Sequence, residues 1–232
     1  MIAENIQNIE ETLKKTCIRT GRNPEDVKFI AVSKTFGAKN VLEAIDAGVI
    51  DFGENYVQEL LEKHNALLDK NIQWHFIGHL QSNKVKYIAD WIHLIHSVDS
   101  ESLAFEIQKR AEKNSRTIDV LVEVNTSEEA TKFGVKPDQA LALIQSVSCF
   151  SNLNLKGLMT IGPFTDDKAE SRISFKLLRS IFTEANSAGF LKQPLTVLSM
   201  GMTHDYETAI EEGSTMVRIG TAIFGARTKN IH

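Results

Sequence analysis

The sequence predicts an α/β protein: a single (β/α)8 TIM barrel with an extra N-terminal helix. Three observations predict it. Short Val- and Ile-rich runs alternate with helical patterns along the chain, as parallel βαβ units do. Eight such runs fit into 232 residues, and barrels of this kind begin at about 200 residues. No G-x-G-x-x-G follows the first run, which argues against an open doubly wound sheet.

The opening helix spans residues 1–21, with Ile2, Ile6, Ile9, Leu13 and Cys17 at helical spacing and Gly21 as its stop. Strands are expected at Val27–Ser33, Asp51–Gly53, Trp74–Gly78, Ile92–Val98, Ile118–Val124, Leu155–Ile161, Thr196–Met200 and Met216–Ile219. "DFGEN" is too short and polar to be read as strand from its own residues, and only the rhythm of the chain supplies it. Among the helices, Asn40–Ala47 places Val41, Leu42 and Ile45 on one face before Gly48. Glu101–Lys113 repeats Leu103, Ala104, Ile107 and Ala111 at helical spacing. Pro137 suits a first helical position, and a helix from Thr203 to Glu212 stops at Gly213. No linker or internal repeat divides the chain, so residues 1–232 read as one domain.

Composition narrows the function. A net charge of −4 argues against a nucleic-acid or anionic-membrane partner. No apolar run reaches the length of a membrane span, and the N-terminus lacks the pattern of a secretory signal. Cys17 and Cys149 stand in no metal or redox spacing and read as buried or partly buried free thiols. A soluble, cytoplasmic protein is expected.

In a barrel, functional groups collect where strands end. Those ends hold Ser33-Lys34, Glu54-Asn55, His79 with Gln81 and Asn83, Asn125, Met159-Thr160, "SMGMTHD" at 199–205 and "RIGTAIFG" at 218–225. The last two follow strands seven and eight, where barrels often bind phosphate. Ser199 and Thr203 offer hydroxyls around Gly201, and a helix beginning at Thr203 would direct free N–H groups at an anion. Gly220-Thr221 repeats the small-hydroxyl pattern. Each segment alone is as well explained by turns and caps; the pair points to a phosphate.

Arg218 shares a strand face with Gly220, where it pairs with a carboxylate inside the barrel or donates to a ligand. Lys34 ends a buried strand, where a neutral amine can hold an aldehyde as a Schiff base. An amine, a phosphate cradle and a guanidinium are what pyridoxal 5′-phosphate (PLP) requires. Arg cannot accept a proton, so opposite the ring nitrogen it leaves that nitrogen unprotonated and the ring a weaker electron sink.

"WHFIGHLQSNK" at 74–84 spaces His75 and His79 four apart, but the flanking Trp, Phe and Ile read as strand, so no metal is expected. His79, Gln81 and Asn83 read as polar lining of the mouth. Asn55 either caps the following helix or donates to the ligand. Lys132, in the loop after strand five, reads as a solvated lysine or a weaker ligand contact, and Met159 completes the cofactor-binding candidates.

These residues resemble the pyridoxal phosphate homeostasis proteins, whose barrel is similar to the N-terminal domain of bacterial alanine racemase. The resemblance rests on "AVSKT" (31–35), "FGENYVQE" (52–59), "WHFIGHLQSNK", "KFG" (132–134), "GLMTI" (157–161), "LSMGMTHDYETAI" (198–210) and "VRIGTAIFG" (217–225). It implies that Lys34 carries PLP as a Schiff base. It further implies that Ser199, Gly201, Thr203, Gly220 and Thr221 hold the phosphate, Arg218 faces the ring nitrogen, and Asn55 lies near the ring. Family members commonly read "SMGMS"; Thr203 here keeps the hydroxyl.

Racemisation would need a second base opposite Lys34, which the racemase takes from a further domain. The chain's three tyrosines, Tyr56, Tyr87 and Tyr206, all fall within or beside expected helices. The expectation is therefore a monomer that buffers PLP or delivers it to PLP-dependent apoenzymes, without efficient turnover. The alternatives are a PLP-dependent amino-acid racemase or lyase using Lys34 as base, and a cofactor-free aldolase.

Overall fold

The structure, a computed structural model, describes residues 1–127, 129, 132–165 and 167–226. Eight parallel strands close into a barrel in sequence order: β1 (Lys28–Val32), β2 (Asp51–Glu54), β3 (Gln73–Phe76), β4 (Leu94–Val98), β5 (Ile118–Glu123), β6 (Leu153–Met159), β7 (Val197–Met202) and β8 (Met216–Ile219). β1 pairs in parallel with both β2 and β8, which closes the ring. The strand inferred from rhythm alone is present as β2.

Two apolar layers follow from the alternation of strand side chains. Ile30, Leu94, Leu121, Met159 and Met216 meet inside the barrel. A larger cluster, including Ala31, Phe52, Phe76, Val120 and Val217, packs between the sheet and the surrounding helices. Helix α1 (Ile2–Arg19) buries the expected Ile2, Ile6, Ile9, Leu13 and Cys17 against that outer layer.

The other helices are α2 (Ala38–Asp46), α3 (Val57–Ala66), α4 (Glu101–Lys113), α5 (Pro137–Ser148), α6 (Lys168–Ser187), α7 (Tyr206–Glu211) and α8 (Thr221–Phe224), with a 3₁₀ helix at Ser82–Tyr87. The expected helix start at Thr203 is corrected. β7 continues to Met202, and the Met202 N–H donates to Asp205 Oδ1 at 2.6 Å while the Asp205 N–H returns to the Met202 carbonyl. That turn delays α7 to Tyr206. Cys149 is exposed rather than buried, whereas Cys17 is buried as expected. No helix among the described residues is long and apolar enough to cross a membrane.

Candidate functional site

Lys34 sits half-buried in the turn directly after β1, beyond the inward-facing Ile30 and Val32. α3 grips the backbone on either side of it. Lys63, itself buried, donates to the Ser33 carbonyl at 2.7 Å, and Glu59 accepts the Thr35 N–H at 2.8 Å. Thr35 has a φ of 69°, a left-handed conformation that is strained for a β-branched residue and persists only where its surroundings hold it. Lys63 also contacts Glu54 at 2.5 Å, and Glu54 accepts the Ser33 hydroxyl at 2.6 Å. Burial pushes the Glu54 carboxyl above its ordinary range, against the pull of Lys63. The turn bearing Lys34 is thereby anchored from behind by a buried ion pair. Reasoning from sequence had placed Glu54 at a strand end but missed its partners Glu59 and Lys63; the Glu59–Lys63 spacing of four on one helix was the available signal.

β8 and β7 complete this side of the mouth. The register sets Ile30 beside Arg218, Ala31 beside Ile219, and Met202 beside Arg218. One wall therefore carries Lys34, Gly220-Thr221 and Gly201–Thr203 on three neighbouring strands. Gly220 lies against β1: a Cβ there would approach the Val32 carbonyl to 3.3 Å. Gly201 has a φ of +94°, and a Cβ there would come within 2.5 Å of the Ala209 side chain, so only glycine lets the strand end pass close to α7. Thr203 is half-buried and Thr221 exposed.

Arg218 is buried beneath this wall. Its Nη1 donates to Ser199 Oγ at 2.6 Å and its Nη2 to the Thr160 carbonyl at 2.7 Å. Burial lowers its pKa to about 10, opposed by Asp205 and Glu123, so the guanidinium remains charged at neutral pH. Ser199 thus departs from the expected phosphate ligand. It points into the barrel, fully buried, and its hydroxyl is engaged by Arg218 and by His96 Nδ1 at 3.0 Å. Met159 likewise faces the barrel interior and packs in its apolar cluster.

Below Ser199 the polar contacts continue. His96 Nε2 meets His75 Nδ1 at 3.0 Å, and His75 Nε2 meets Asp51 Oδ1 at 2.9 Å. Burial holds both imidazoles below their ordinary pKa, His96 far below, so both are neutral. One tautomer set then satisfies every contact: Arg218 donates to Ser199, Ser199 to His96, His96 to His75, and His75 to the Asp51 carboxylate. This chain crosses the barrel from the start of β2 to the mouth. Asp51, His75 and His93 also bring ligand atoms within 4.8 Å of one another, but the Lys28 charge acts on the same group.

On the other side of the mouth lies a cavity of about 670 Å³ lined in part by Asn55, His79, Gln81, Glu123, Phe133 and Ile161. Asn55 lines it, and its Oδ1 is buried without a partner among the described residues. Gly78 makes room for Asn55: a Cβ at 78 would lie 2.2 Å from the Asn55 carbonyl. His79 stacks on Phe133 at 3.8 Å and stands 3.6 Å from Asp99. Two expected lining residues sit elsewhere. Asn83 is exposed on the 3₁₀ helix, because that turn carries it outward. Lys132 bonds the Gly162 carbonyl and Glu129, both at 2.8 Å, and so staples the loops after β5 and β6.

Residues 2–228 match the family model described as "Alanine racemase, N-terminal domain". The pyridoxal phosphate homeostasis protein of Aquifex aeolicus (strain VF5) is 44% identical over 224 residues, 97% of each chain. That of Pseudomonas aeruginosa (strain PAO1) is 42% identical over 226 residues, 97% of this chain and 96% of its own. The solved structure of PipY of Synechococcus elongatus PCC7942, with PLP bound, aligns with a TM-score of 0.84 at 33% identity, covering 97% of this chain and 100% of PipY. Fold and site define a barrel of the alanine racemase N-terminal type. Within that class, the chain belongs to the pyridoxal phosphate homeostasis protein family.

Proposed function

We propose that this barrel binds pyridoxal 5′-phosphate through Lys34 and buffers or delivers it without efficient turnover. The observation that carries the reading is the shared wall of β7, β8 and β1, which ends in Gly201–Thr203, Gly220-Thr221 and Lys34 over a fixed Arg218. The PLP bound by PipY supports it.

The residues present fit the cofactor. Asn55 Oδ1 is buried without a described partner, as a site shaped for a polar ligand would leave it. The Thr203 and Thr221 hydroxyls and the backbone beside Gly201 and Gly220 would hold the phosphate. Arg218 has spent two of its five donor hydrogens inside the barrel and retains others for the ring nitrogen. When bound, PLP supplies an aldehyde that condenses with a primary amine, here Lys34, as a Schiff base. The clamp of Glu59 and Lys63 orients the turn from which that amine projects.

The mouth favours holding over turnover. Tyr56 and Tyr87 reach the cavity, yet they are 59% and 43% exposed. A base so hydrated does not sit in the dry site that carbanion chemistry favours. The same openness suits release of a reactive aldehyde to an apoenzyme. We place the protein in the cytoplasm as a monomer; its unpaired thiols, one of them exposed, agree with a reducing compartment.

Borohydride reduction in the presence of PLP, followed by peptide mass mapping, tests the reading. The label is expected on Lys34. A folded protein labelled elsewhere and not on Lys34 overturns it.

A further inference from the structure

The mouth cavity contains a buried carboxyl that the cofactor reading does not use. Glu123 ends β5, is 3% exposed, and lines the cavity. Its backbone is fixed by the returning loop: Val135 N–H donates to the Glu123 carbonyl at 2.9 Å, and Val124 bridges Val135. Gly134, at a φ of +109°, packs on its stem, and a Cβ there would lie 3.2 Å from Glu123 Cγ and 2.6 Å from the Asn125 nitrogen. The loop "KFG" is thus built around this side chain. No hydrogen bond among the described residues holds the carboxyl; Arg218 and Asp99 act on it only through their charges. His79, beside Asp99, and Lys84, Tyr56 and Tyr87 are the other titratable groups lining the cavity.

A carboxyl kept buried, held by its backbone and open to a cavity calls for a cationic donor. The same cavity presents the unpartnered Asn55 Oδ1 as a second acceptor, and Phe76, Phe133 and Ile161 as apolar wall. At the rim the Tyr87 ring already faces Lys84 and Lys86, at 5.8 and 4.8 Å from its centroid, so the amine is received deeper, at Glu123 and Asn55. We propose that the mouth cavity binds a primary amine carrying a short apolar stem, with Glu123 and Asn55 receiving its ammonium group.

Once bound, the ammonium can pass one proton to the Glu123 carboxylate, which leaves a neutral amine and a carboxylic acid. The amine lone pair is then available to a carbonyl carbon. Amine binding stands on the cavity alone; its use in collecting an aldehyde from Lys34 rests on the PLP reading. Burial and the Asp99 charge raise the Glu123 pKa to about 7, against Arg218, which suits exchange of a proton with an amine near neutral pH.

The test titrates the ¹⁵N-labelled full chain, without PLP, with n-propylamine at pH 8 by NMR, using 1-propanol as the neutral control. Propylamine is expected to shift amides at Asn55, Glu123 and Phe133 saturably, and propanol is not. Glu123→Gln should weaken the amine by about tenfold, the worth of one hydrogen bond to a charged group. Wild-type affinity should fall several-fold from pH 8 to pH 6 as the carboxylate is protonated. Equal binding of propylamine and propanol, an unchanged affinity in Glu123→Gln, or shifts confined to other faces would overturn the proposal. Borohydride labelling of the same variant is read separately: Lys34 labelled with amine binding unchanged sinks this inference alone, whereas unlabelled wild-type Lys34 sinks the PLP reading and leaves the amine site standing.

Discussion

The Ser199 hydroxyl lies 2.6 Å from Arg218 Nη1 and 3.0 Å from His96 Nδ1, and so joins the guanidinium to a line of neutral imidazoles that ends on Asp51. Each group in that line donates in one direction, so the Arg218 position depends on a hydroxyl buried inside the barrel. Ser199→Ala should leave a buried donor and a buried acceptor unpaired, at about 1–3 kcal/mol for each unsatisfied group. In a chain of this size that lowers Tm by roughly 2–4 °C per kcal/mol. PLP should bind more weakly to the alanine variant, with a shifted absorbance maximum, and Ser199→Thr should restore both. An unchanged spectrum with lowered Tm would reduce the line to a purely structural role.

The clamp behind Lys34 makes a separate prediction. Lys63→Met removes the donor to the Ser33 carbonyl and strands Glu54 in the layer between barrel and α3. Breaking a buried ion pair in this way costs roughly 3–5 kcal/mol. Thermal unfolding should show that loss, and borohydride labelling of Lys34 at limiting PLP should fall with it. Adding Glu54→Leu should recover much of the stability, because the stranded charge is gone, without recovering the labelling rate. Recovery of both would mean that the clamp only stabilises.

Much of this architecture was legible in the sequence, for reasons particular residues show. Val27–Ser33 and Ile118–Val124 read as buried strands because both faces of a parallel barrel strand are covered and the run stays apolar. β2 was not legible from its own residues: Asp51, Gly53 and Glu54 are polar or small because they meet His75, the Ile30 side chain and Lys63. Lys34, Arg218 and Gly220 could be brought to one mouth from the sequence because strand ends in a barrel face one mouth. Ser199 was misread because its neighbour Gly201 suggested a cradle, while strand alternation and the bulge between Ser199 and Met202 send its hydroxyl inward. Tertiary partners from β4 and α3, His96 and Lys63, carry no local signal that binds them to the site.

Gly78 is expected to be intolerant of any side chain. The 2.2 Å approach of a Cβ to the Asn55 carbonyl, with the Asn55 Cα at 2.7 Å, sets backbone against backbone, so no rotamer change can relieve it. Gly78→Ala should destabilise by about 1–3 kcal/mol and move Asn55 from the mouth. Asn55→Ala separates the two effects: it should weaken PLP binding in a titration while leaving Tm within about 1 °C of the parent, as expected for an open-mouth truncation. A Gly78→Ala protein with parental affinity would show that Asn55 does not serve the ligand.

Glu123 should also mark the stability curve. Its carboxyl is raised from 4.5 to about 7 in the folded chain, first by burial and then by Asp99, so between those values the native state binds more protons than the unfolded one. Stability should therefore fall as pH rises from about 4.5 to 7 and level off above. The shift corresponds to a loss on the order of 3 kcal/mol at 1.36 kcal/mol per unit. Glu123→Gln cannot ionise and should remove this slope, so the variant is expected to melt higher than the parent at pH 8 and to match it near pH 4.5. Denaturant unfolding at the two pH values is the measurement. Parallel losses in parent and variant would mean that the carboxyl is solvated in solution, and with it would go the reason to expect a cation beside it.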